Sequence, residues 1–214
     1  IYTDFTYSAM PLHPILMGAW LNVFPTDHPF LVFRFMSALL MWLAAILLYL
    51  TLRRMTAHEG IALLLSSFLA LNTLVLYSTN GLISCHIPAL TLCLGGAYAL
   101  QRALAEGSNR WTFFCGLLLC TAAGFKLYYF LLLPVLQCLL LLQAWRGIPG
   151  RRSLWLAYAL GAILAGIPVL VVFFRDPYAF LFNNYIFHQY NTAWRISIGE
   201  LGRISLASRI GYTL

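Results

Sequence analysis

Apolar residues run through this chain in blocks far longer than a soluble helix or strand needs. They cover residues 30–52, 61–77, 85–100, 111–145 and 154–174, with polar and basic residues collected in the short breaks between them. About 20 apolar residues cross the hydrocarbon core of a bilayer, so every block but one predicts a single spanning helix. The exception reads WTFFCGLLLCTAAGFKLYYFLLLPVLQCLLLLQAW, from 111 to 145, and its only charge is Lys126. It is too long for one ordinary span and short for two. In a single helix the lysine would face lipid at high cost. It is tolerated if the run folds into a hairpin and the amine faces a wet cavity. The predicted fold is all-α, a polytopic transmembrane helix bundle of about six spans, with arms 111–125 and 127–145 forming a short hairpin.

The flanks differ from this bundle. Residues 1–28 are polar and aromatic with three prolines, and 15–24 predict a helix lying along the membrane surface. Residues 175–214 are polar, with an amphipathic stretch near the end. The expected organisation is a partial outer loop with a juxtamembrane helix (1–28), a transmembrane bundle (29–174) and a truncated outer loop (175–214). The chain opens at Ile1 without a signal-peptide pattern, and is expected to be a fragment with an element missing before it.

Charge orients the bundle. Basic loops at 53–59, 102–110 and 146–152 belong on the cytoplasmic side. All three fall on one side only if the 111–145 run contributes two arms. Residues 1–28, the 78–84 connection, Lys126 and the 175–214 tail then share the outer side. The first arm, about 22 Å long at 1.5 Å per residue, falls short of a core of about 30 Å. Lys126 should therefore sit below the outer surface, in a pocket open to that side, with Gly124 easing the turn.

Composition agrees: 62% of the residues are apolar and 9% charged, against about 25% charged in soluble domains. The net charge of +7 is explained by the loop arginines and does not indicate nucleic-acid binding. The five cysteines lie within or beside apolar runs and lack ligand spacing, which makes them small buried thiols. Phosphate-binding glycine loops, Walker motifs and nucleophile elbows are missing from the sequence, which disfavours a nucleotide-driven pump.

Polar residues on the outer side are the candidates for chemistry: Asp4, Tyr7, His13, Asp27, His28, Arg34, Asn80, His86, Lys126, Arg175, Asp176, His188 and Arg195. Lys126 and Arg34 suit an anion such as a lipid phosphate. Asp4 suits a general base towards a hydroxyl or amine. Each has a plainer reading. Lys126 and Arg34 could be helix-end side chains that snorkel to the interface. Asp4 could cap a turn, His86 could open a helix before Pro88, and Asp176 in Arg-Asp-Pro could form a turn. His188 could be a lone histidine among aromatics.

The stretch YTDFTYSAMPLHPILMGAWLNVF, with Arg34 in FRFMSALL, resembles the first outer loop and second span of GT-C membrane glycosyltransferases. The nearest branch holds protein O-mannosyltransferases and the lipid A aminoarabinose transferase. GFKLYYFLLLP, with Gly124, Lys126 and Pro134, resembles that branch's short hairpin. The resemblance covers roughly residues 2–175. It implies transfer of a sugar from a polyprenyl-phosphate donor to a lipid, glycan or protein acceptor on the outer face of a membrane. That membrane would be the bacterial cytoplasmic (inner) membrane.

By the same resemblance an acid of the first outer loop is the base, here Asp4 or an acid before Ile1. Lys126, Arg34, His86 and Tyr7 would bind substrate. Some relatives use a divalent metal and others do not. The sequence departs from the pattern at STNGLISCHIP, residues 78–88, where relatives carry a second acid and this chain has none. A transporter or flippase for a lipid-linked or anionic solute is the alternative, but would be expected to show paired broken helices in two halves. A scaffold subunit would leave the intramembrane lysine without a purpose.

Overall fold

A computed structural model describes residues 10–56, 58–71, 85–146 and 151–197. Among them the chain is helical and has no strand. It divides into two compact units, one from Met10 to Val171 and one that takes in the chain from Val172 onward.

In the first unit, α1 (Leu12–Val23) begins three residues earlier than the predicted surface helix. Then come α2 (Pro29–Thr56), α3 (Glu59–Leu71), α4 (His86–Glu106) and α5 (Asn109–Phe125). Helix α2 opens with proline, whose missing N–H is no loss at the first helical position. It closes on Arg53 and Arg54, whose charges suit the negative end of the helix dipole. Helix α4 stops at Gly107, left-handed at φ 62°, whose N–H bonds Ala103 O. That conformation costs glycine little.

The long apolar run breaks where its charge falls. Helix α5 ends at Phe125, Lys126 is extended (φ −144°, ψ 119°), and a short 3-10 turn (Leu127–Leu131) leads into α6 (Leu132–Trp145). Leu133 and Leu140 of α6 share a buried core with Cys115, Leu119 and Ala123 of α5, so the two arms fold onto each other. At 17 residues, α5 is about 26 Å long, still short of a hydrocarbon core of about 30 Å.

Two sets of contacts hold the bundle. Helices α2 and α4 run parallel. The Thr91 hydroxyl donates to Leu40 O at 3.0 Å, and the Gln101 amide donates to Thr51 O at 3.3 Å. Helices α5 and α7 (Arg151–Arg175) meet backbone to backbone. A Cβ on Gly116 would overlap the carbonyl of Tyr158, and one on Gly161 the carbonyl of Phe113. Small residues at such crossings let helices gain dispersion contacts in lipid, where the hydrophobic effect offers nothing. Tyr158, 1% exposed, donates its hydroxyl to Leu133 O at 3.3 Å and ties α7 to α6.

Gly124 has a different role from the one expected. It lies inside α5 and eases no turn. A Cβ there would stand 2.7 Å from Leu12 Cγ and 3.1 Å from Val169 Cγ2, so its bare backbone is the notch that receives Leu12 of α1.

Two arginines at one end of the first unit have carboxylate partners. Arg53 pairs with Glu59 at 3.0 Å and Arg102 with Glu106. Arg54 lies over Tyr98 and Arg102 over Trp111, at 5.3 and 4.9 Å from the ring centres. The outer faces of the helices stay apolar, with Phe35 and Trp42 of α2 65% and 68% exposed. In water such a surface would aggregate, whereas in a bilayer it is the solvated face.

In the second unit, Asp176 accepts from Ala179 N at 2.9 Å and caps α8 (Pro177–Leu181), the local role its Arg-Asp-Pro setting suggests. A π-turn (Phe182–Ile186) and α9 (Phe187–Ser197) follow.

Filling the α5–α7 crossing should loosen the bundle. Gly116→Leu is expected to lower the thermal midpoint in detergent by roughly 2–10 °C. Gly18→Ala, where an added Cβ meets nothing within 4 Å, should not lower it. An unchanged midpoint in Gly116→Leu would show that the two helices do not meet there.

Candidate functional site

The break at Lys126 is locally satisfied. Its N–H bonds Ala122 O at 3.0 Å, and its carbonyl accepts from Tyr129 N at 3.2 Å. The extended residue therefore leaves neither of its backbone groups orphaned, and its side chain is half-buried.

Three elements meet around it. Helix α1 brings His13, 8% exposed, whose ring lies edge-on to Phe125 at 6.1 Å. Helix α4 starts here with His86, whose Nδ1 is 3.4 Å from the Tyr128 hydroxyl. The 3-10 turn brings Tyr128 against Tyr129, their ring centres 4.5 Å apart. Both histidines feel the charge of Lys126. His13 is held below its ordinary value of 6.5, first by burial and second by that charge, so it is neutral at neutral pH.

Beneath α1 lies a cavity of about 410 Å³, walled by α2, α4 and α5. His13, Leu16, Met17 and Trp20 form its roof, and Phe33, Leu40 and Phe125 are among its walls. The Thr91 and Thr121 hydroxyls on its lining donate to Leu40 and Ile87 and to Leu117 carbonyls, respectively. The space therefore presents mostly hydrocarbon. Phe125, immediately before Lys126, lines it. An apolar slot next to a cation matches an amphiphile with an anionic head.

The chain matches the family model of dolichyl-phosphate-mannose-protein mannosyltransferases over residues 9–172. It belongs to that family. No curated protein and no solved structure shows a match. This dolichyl-phosphate-mannose-protein mannosyltransferase family member is an integral membrane glycosyltransferase of the GT-C type.

Of the site residues expected from sequence in this family member, Lys126 and His86 come together. Arg34 is exposed on α2, while its neighbours Phe33 and Ser37 line the cavity. Asp4, Tyr7 and Asn80 lie outside the described residues. Among the described residues no group of three or more His, Cys, Asp or Glu is placed to hold a metal ion. His13 is a candidate from sequence without a stated role, and Tyr128 is not singled out there. A signal for His13 existed: with Leu16, Met17 and Trp20 it recurs at i, i+3, i+4 and i+7, one face of a helix.

The buried His13 gives a pH signature. Its lowered value means the unfolded chain takes up a proton first as pH falls. Stability should be flat above 6.5 and decline as pH drops through 6.5 towards the folded value. Thermal midpoints taken from about pH 7.5 to about pH 5.5 should therefore fall more steeply in the native protein than in His13→Gln. Parallel curves would rule out a buried neutral His13.

Proposed function

We propose that this glycosyltransferase moves a sugar from a polyprenyl-phosphate donor to a lipid, glycan or protein acceptor on the outer face of the bacterial inner membrane. Lys126 carries this reading. It is the one charge in the 111–145 run, it sits at a helix break, and a largely hydrocarbon cavity lies beside it. The prenyl chain occupies the slot beneath α1, and the Lys126 ammonium binds the phosphate. His86 with Tyr128 orients the headgroup, and Tyr7, outside the described residues, is assigned to substrate binding. Arg34, one turn into α2, supplies a second positive charge by reaching along the interface.

In the reaction, Asp4 accepts the proton of the acceptor hydroxyl or amine. The freed lone pair attacks the sugar's anomeric carbon, whose bond to the phosphate oxygen breaks. Polyprenyl phosphate leaves with that electron pair, and Lys126 offsets the charge gathering on it. A fixed cation in a water-poor site is worth more to that developing charge than to the ground state. The matched arginines Arg53 and Arg102 lie at the opposite ends of these helices, in keeping with an outward-facing Lys126 under the positive-inside rule.

Lys126→Ala, assayed in membranes with a polyprenyl-phosphate sugar, should lose about 100-fold or more in transfer while inserting normally. Arg34→Ala should lose roughly 10-fold. Full activity in Lys126→Ala would sink the phosphate role. Asp4→Asn should cost about 10²- to 10⁴-fold, the usual range for a general base. Unchanged turnover in it would move the base to another residue.

A further inference from the structure

A second cavity lies at the other end of the hairpin, between the end of α6 and the start of α7. It is an open groove of about 570 Å³ lined by Leu141, Ala144, Trp145, Arg152, Trp155 and Leu156. The two tryptophans differ in character. Trp155 packs against the buried core, and its indole N–H is shielded from solvent without an acceptor among the described residues. Trp145 is 84% exposed. The groove thus has a fixed aromatic floor and a free aromatic flank. Leu141 and Leu156 open its sides to the surface that faces lipid.

The charge here contrasts with that of the two paired arginines. Arg53 and Arg102 have carboxylate partners. Arg152 is exposed and has no carboxylate partner among the described residues. The sequence offers no acid at all from Gly107 to Arg175, while Arg146, Arg151 and Arg152 fall within seven positions. Tryptophan, leucine and an unneutralised arginine in one groove at the boundary of apolar helices fit a molecule with three parts. An acyl chain would lie along Leu141 and Leu156, a glycerol-ester region against the indoles, and a phosphate at Arg152.

We propose that this groove binds one anionic phospholipid of the cytoplasmic leaflet, at a site separate from the one that holds the donor. Basic pockets between spanning helices on that side suit anionic headgroups. A zwitterionic lipid brings a cation that finds no carboxylate here, so the groove selects phosphatidylglycerol over phosphatidylcholine.

The test uses the protein reconstituted in phosphatidylcholine vesicles carrying a minor fraction of brominated phosphatidylglycerol or brominated phosphatidylcholine. Bromine quenches tryptophan fluorescence only at close range. Brominated phosphatidylglycerol should quench more strongly at equal fraction, corresponding to about fivefold preference if one arginine decides it. Arg152→Gln and Trp145→Phe/Trp155→Phe should each abolish the difference, and Arg152→Lys should keep most of it. Arg54→Gln, at the Tyr98 contact, should leave it unchanged, as should Lys126→Ala, which tests the donor site independently. Equal quenching by the two lipids overturns the proposal. So does a difference that survives Arg152→Gln, which would mean general attraction to a basic surface. Protection from both lipids also overturns it, because a protein partner or a second copy would then fill the groove.

Discussion

An ammonium group cannot be left in hydrocarbon, and the arrangement of the first unit follows from where Lys126 falls. A continuous helix through residue 126 would carry the charge across the bilayer interior. The chain instead ends one helix at Phe125, spends one residue extended and starts again in a 3-10 turn. Both backbone groups of Lys126 keep a partner, so the extended residue itself costs little hydrogen bonding. What it gains is a cation held at a helix break, with His13 and His86 within reach of its charge. The same break lets the second arm fold back, and the folded arm supplies Leu133 and Leu140 to the core. Chemistry and packing thus share one origin.

Helical content and the hairpin were legible because they depend on run length and on one misplaced charge, both local features. The first helix was legible as a helix, but its start was not. Pro11 and Pro14 suggested a loop, yet Pro11 stands as its N-cap and Pro14 lies in its first turn, where proline costs least. Hence His13 entered the helix and the site. Gly124 was misread for a related reason. A glycine beside a break looks like a hinge in one dimension, and only the position of Leu12 shows it to be a notch. Pairing of Gly116 with Tyr158, of Gly161 with Phe113, and of Thr91 with Leu40, joins residues far apart in the chain, which no periodicity encodes. Asp176 was readable from its neighbours alone, because capping is a local interaction.

Charge is partitioned along the helices. Where acids occur near arginines at the α2–α3 and α4 ends, they neutralise them, and the aromatic rings of Tyr98 and Trp111 take up the remaining attraction. The 111–145 run and the helix after it carry cations without acids. Exposed surface pairs contribute little to stability, so the matched end owes its order mainly to packing. The unmatched cations are those left available to bind something else.

The crossing of α5 and α7 has a mechanical side. Where two side chains meet, rotamer changes can absorb a shift. Where Gly116 and Gly161 bring main chain against main chain, nothing can rearrange without separating the helices. The two rods therefore behave as a stiff beam. Backbone motion that displaces Lys126 falls to the single extended residue at the beam's tip, with the side chain adding its own rotations, and the rest of the bundle acts as its anvil.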